Sequence, residues 1–92
     1  MTSLFTVILE FGGGTYISQV KAQGPSEALT EWITTQSDAD LSSWKLDRTK
    51  MAKLFAEESP HLLDGLQNAW CMSASLANGF ALANIIKTVP AN

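Results

Sequence analysis

The stretch LFTVILEFGGGTYISQVK, residues Leu4 to Lys21, decides how the rest of the chain is read. Its residues alternate in polarity on both sides of three glycines and are rich in β-branched and aromatic types, so it reads as two strands joined by a turn. The register depends on which glycines turn the chain. With Gly12 and Gly13 as a two-residue turn, Leu9 faces Tyr16, Val7 faces Ser18 and Phe5 faces Val20 on one side. Glu10 with Thr15, Thr6 with Gln19 and Leu4 with Lys21 then fall on the other. A three-residue loop over Gly12 to Gly14 would set Val7 against Gln19 and Phe5 against Lys21, placing polar and charged groups opposite core residues. The two-residue register is therefore expected. Its turn needs positive φ, which glycine adopts without a Cβ clash. Gly14 then begins the returning strand, free to bulge. A phosphate loop is not implied, because its glycines lead from a strand into a helix whose N-terminus meets the anion, and here a strand follows.

After this hairpin comes GPSEALTEWITTQ, residues 24–36. Gly24 suits an N-cap, Pro25 fits the first helical position, and the Glu27 carboxylate meets the positive end of the helix dipole. Ala28, Leu29, Trp32 and Ile33 share one face at helical spacing, and that face should lie on the first hairpin. Serine and aspartate break the periodicity around residues 37–43, where a loop or single turn is expected. Asp47 is positioned to cap a second helix that carries Met51, Leu54 and Phe55 on one side and stops near Ser59 and Pro60. A short turn bearing Leu62, Leu63 and Leu66 then leads to the last hairpin.

That hairpin is read from Ala69 to Ala77 and Phe80 to Thr88, with Asn78 and Gly79 as the turn, a strong short-range hairpin signal. One face carries Trp70, Met72, Ala74, Leu76, Ala81, Ala83, Ile85 and the stem of Lys87, which reads as core. The other carries Cys71, Ser73, Ser75, Ala77, Phe80, Leu82, Asn84 and Ile86. This second face mixes large apolar residues with small polar ones, where a solvated face would carry Glu, Lys and Thr. If helices cover only one side of the sheet, Phe80, Leu82 and Ile86, with Ile8 and Ile17 of the first hairpin, form an exposed apolar patch.

The chain has 92 residues, 46% hydrophobic and 16% charged, with a formal net charge of −3. One domain is the limit at this length. The charged fraction is below the roughly 25% of an ordinary soluble domain, as in chains that hide surface in a partner. The negative balance does not support a sequence-independent grip on a phosphate backbone. A single cysteine, Cys71, cannot form an internal disulfide, and the first residues lack the cationic start of a secretion signal, so the cytoplasm is the expected compartment. Residues 65–86 contain no charged side chain over a length that could span a bilayer. Gln67, Asn68, Ser73, Ser75, Asn78 and Asn84 are costly in hydrocarbon, and no membrane span is expected.

Chemistry-bearing groups are few. His61 and Cys71 are too few ligands for a zinc site, and no metal or cofactor is expected. The same pair is the only candidate for an activated thiol, which keeps a small enzyme using Cys71 as an alternative. Glu57 and Glu58 point about 100° apart on a helix, and Asp38 and Asp40 lie in a polar segment, which solvation or capping explains. Lys45, Arg48, Lys50 and Lys53 cluster beside Trp44, and stacking of a base on that ring next to such charges is the argument for single-stranded nucleic acid. Whether Ser73, Ser75 and Asn84 line a polar site is left open at this level.

A hairpin followed by a helix with PSEAL near its start resembles the opening of small antitoxin-type and double-stranded-RNA-binding-like domains. The former usually add a strand with a Pro-Gly turn before the helix, absent here, and no functional residue carries over. The expectation is a small α+β domain in ββααββ order, its two hairpins forming one four-stranded antiparallel sheet with the helices on one face. Its expected role is that of a non-enzymatic interaction module, a homodimer through Ile8, Ile17, Phe80, Leu82 and Ile86. The alternatives are an acidic partner that neutralises a basic toxin, the nucleic-acid binder and the Cys71 enzyme.

Overall fold

The computed structural model describes residues 2–91. The first hairpin forms in the register expected from its polarity: β1 (Ser3–Phe11) pairs with β2 (Gly14–Ala22), with Leu9 opposite Tyr16, Val7 opposite Ser18 and Phe5 opposite Val20. Gly12 and Gly13 take φ of 57° and 82°, the positive values that a tight hairpin turn demands. Gly14 does not bulge; it pairs with Phe11.

Three helices follow. α1 (Pro25–Thr35) starts from Gly24 and buries Ala28, Leu29, Trp32 and Ile33. The Glu27 carboxylate accepts a bond from the Gln23 backbone N–H at 2.9 Å, tying down the chain before the helix. The stretch read as a loop is a second, short helix, α2 (Asp38–Ser43), because the Ser37 hydroxyl oxygen caps it by accepting from the Asp40 N–H. The residue types that broke the periodicity are here used as caps and first-turn acids. α3 (Arg48–Ala56) begins at Asp47 as expected, its carboxylate accepting from the Lys50 N–H at 2.9 Å. It ends at Ala56, before Ser59 and Pro60.

The sheet has five strands rather than four, in the order β2-β1-β5-β4-β3. The additional strand is β3 (His61–Leu62), two residues pairing with the outer edge of β4 (Ala69–Leu76). It lay in the expected turn, too short to show an alternating pattern. β5 (Gly79–Thr88) joins the two hairpins by pairing antiparallel with both β1 and β4.

The last turn is also displaced from its expected place. Leu76 pairs with Gly79, so Ala77 and Asn78, not Asn78 and Gly79, turn the chain. Two contacts account for this. The Asn78 amide donates to the Lys45 carbonyl at 3.0 Å, and Gly79, at φ 151°, lies where an added Cβ would be 3.1 Å from the Phe11 ring. The displacement shifts pairing by two residues, so every side chain keeps its expected face.

All three helices lie on one side of the sheet. Phe5, Val7, Leu9 and Phe11 of β1 and Ala81, Ala83 and Ile85 of β5 point into this layer and are buried. They meet Leu29 and Trp32 of α1 and Met51 and Phe55 of α3 in one core. Each such large side chain contributes about 1.5–3 kcal/mol on burial. Trp44 lies between two other rings, stacked on Tyr16 at 4.1 Å and 6.3 Å from Trp32.

Candidate functional site

Among the described residues no helix lies over the opposite side of the sheet. Alternation along the strands makes its composition a direct consequence of register. Five cross-strand rows result. Lys21, Leu4 and Thr88 form the first; Gln19, Thr6, Ile86 and Ala69 the second. The middle row is Ile17, Ile8, Asn84, Cys71 and His61, crossing every strand. Thr15, Glu10, Leu82 and Ser73 form the fourth, and Phe80 and Ser75 the last.

All five expected interface residues therefore share this face. Ile17 is 62% exposed, Phe80 58% and Ile86 38%, while Ile8 and Leu82 are half-buried by their neighbours. Leu4, half-buried in the first row, belongs to the same surface and was not singled out from the sequence, where it reads only as the partner of Lys21. Glu10, Lys21, His61 and Cys71 are the ionisable side chains of the rows. Polar cohesion within the face comes from hydroxyls: Thr6 and Thr88 share a bond of 2.6 Å, and the Gln19 amide donates to Thr6 at 3.1 Å.

One member of the basic cluster near Trp44 is engaged by the fold itself. Arg48 turns back on α1: its guanidinium donates to the carbonyls of Ile33, of Thr34 at 3.1 Å and of Gln36 at 2.7 Å, and pairs with Asp38 at 2.8 Å. It thereby satisfies the carbonyls that a helix C-terminus leaves without partners. Trp44 is half-buried in its stack with Tyr16. Lys45, at φ 61°, ends α2, while Lys50 and Lys53 are exposed on α3.

His61 and Cys71 are brought opposite each other by the β3–β4 pairing, with Cys71 half-buried and His61 exposed. Among the described residues no hydrogen bond joins their side chains, and no group of three or more His, Cys, Asp or Glu is placed to hold a metal ion. Ser73, Ser75 and Asn84 lie in separate rows of the open face and do not converge. A cavity of about 460 Å³ at one end of the sheet is lined in part by Leu4, Lys21, Lys87 and Val89. Lys21 pairs with Leu4 and Lys87 with Phe5, adjacent positions of β1, so the two lysines leave the sheet on opposite faces although both line this cavity. Among the described residues no helix is long and apolar enough to cross a membrane.

Comparison of the chain with known protein families, with curated proteins and with solved structures gives no match.

Proposed function

We propose that the protein is a non-enzymatic interaction module that self-associates through the uncovered face of its sheet. The observation that carries this reading is a continuous five-row surface on which Leu4, Ile8, Ile17, Phe80, Leu82 and Ile86 are interspersed mainly with small or uncharged polar side chains, and on which Asp, Glu, Lys, Arg and His are confined to Glu10, Lys21 and His61. A solvated sheet face would interleave charges. Depletion of charge with retained apolar and aromatic groups is the composition of an interface core.

A second copy is the occupant supported by the surface itself. Four long strands spaced about 4.8 Å apart and about eight residues long cover roughly 500 Å² in plane. Two such faces together bury about 1,000 Å² or more, the lower limit for a specific interface. The other carboxylates belong to helices and loops: Glu27 and Glu31 to α1, Asp38 and Asp40 to α2, Asp47, Glu57 and Glu58 to the ends of α3, and Asp64 to the loop after β3. An acidic partner for a basic toxin would have to use that side and leave the apolar face uncovered.

Sedimentation equilibrium at micromolar concentration tests the proposal. A dimer that becomes monomeric in Phe80→Asp, with the far-ultraviolet circular dichroism unchanged, is the expected result. A monomeric wild-type chain over the whole soluble range overturns it.

A further inference from the structure

Resting on that reading, we propose further that two copies stack about a twofold axis lying along the middle row, Ile17, Ile8, Asn84 and Cys71, so that Cys71 meets Cys71 of the second copy. A face-to-face pair of identical sheets has its twofold axis in the plane between them. With strands of the two sheets aligned, as in most sandwiches, that axis runs either across the strands or along them. The rows decide between the two.

With the axis across the strands, on the middle row, each strand lies over its own copy and rows exchange end for end. Leu82 then lies over the second copy's Ile86, Ile8 over Ile8, Ile17 over Ile17, and Phe80 over Thr88, one strand from Leu4. Glu10 lies over Thr6, one row from the second copy's Lys21, whose flexible stem spans such a gap. In the three central rows isoleucine and leucine meet their like, and the opposite charges fall at the same end.

With the axis along the strands, between β1 and β5, rows are kept and strands exchange. Ile8 would then lie over Asn84 of the second copy and Glu10 over Leu82, leaving a carboxylate against a leucine and each amide against an isoleucine. Both of these contacts desolvate polar groups without partners, a cost that the first arrangement avoids.

The two arrangements place Cys71 differently, and it is the only cysteine of the chain. In the first, the two Cys71 strands face each other across the sheet spacing of about 10 Å, and the usual offset of about 30° between sheets moves them by less than one strand spacing. In the second, Cys71 on β4 lies over β2 of the second copy, and three strand spacings add about 14 Å sideways.

Wild-type protein treated with a short bismaleimide, of reach below about 10 Å, is expected to be mostly converted to a covalent dimer on denaturing gels, and Phe80→Asp is expected to stay uncoupled. An equimolar mixture of Ile17→Lys and Ile17→Glu is expected to form a heterodimer, while each alone is at least tenfold weaker than wild type. A wild-type dimer in sedimentation that couples only through a long linker, or a mixture no tighter than its components, overturns the stacking while leaving self-association intact. A monomeric wild-type chain overturns both.

Discussion

An alanine at position 14 would set its Cβ 2.7 Å from Cζ of Tyr16, which no real contact allows, so the ring would have to swing off Trp44. Two glycines of the GGG run thus serve the turn, and the third makes room for an aromatic stack. Gly14→Ala is expected to lose the stacking contribution, about 0.5–1.5 kcal/mol, and to flatten the near-ultraviolet circular dichroism of the Tyr16–Trp44–Trp32 group. Arg48 works over a longer sequence distance. Its bonds to two α1 carbonyls, to the carbonyl of the capping Gln36 and to Asp38 bind the end of one helix to the start of another. Removing a charged donor from such acceptors costs about 1.5–3 kcal/mol, so Arg48→Ala is expected to lower stability by that amount in urea. Arg48→Lys is expected to recover little, since an ammonium on a flexible stem lacks the planar fork that reaches several acceptors at once.

At the level of elements, sequence legibility tracked how local the deciding contacts are. β1 and β2 were readable because Gly12, Gly13 and the alternation from Phe5 to Val20 specify the pairing within the hairpin itself. α1 and α3 were readable from Pro25, Glu27 and Asp47, which act within one helical turn. The turn after β4 was misplaced because Asn78 is used by the Lys45 carbonyl and Gly79 by the Phe11 ring, contacts from far along the chain. β3 was missed because two residues carry no periodicity; only the β4 edge makes them a strand. So little pairing also holds it weakly. Amides of residues 61–63 are expected to exchange with solvent far faster than those of β1 and β5, which are paired on both sides, and native-state hydrogen exchange reads this directly.

For the molecule as a whole, the two sides of the sheet are unlike: a helical layer bearing most of the carboxylates, and a bare layer bearing Phe80, Ile17 and Ile86. The residues of the bare layer were legible from alternation alone. Their merging into one surface was expected from a single sheet, but which edges join was not legible, because the pairing of β5 of the last hairpin with β1 of the first is encoded by no local signal. An aromatic anchor at such a surface is worth about 2 kcal/mol or more, so Phe80→Asp is expected to weaken self-association by about 30-fold or more, measured by dilution calorimetry. Stability of the fold should change little, since Phe80 lies outside the core. The β1–β5 pairing, with Leu4 beside Thr88, has a further consequence for how the chain is made. As the polypeptide leaves the ribosome, the first hairpin emerges with one edge of β1 unpaired and stays so until the last strand has been synthesised. The sheet closes late, across nearly the full length of the chain, and until then a nascent copy presents that edge to its neighbours on the same message.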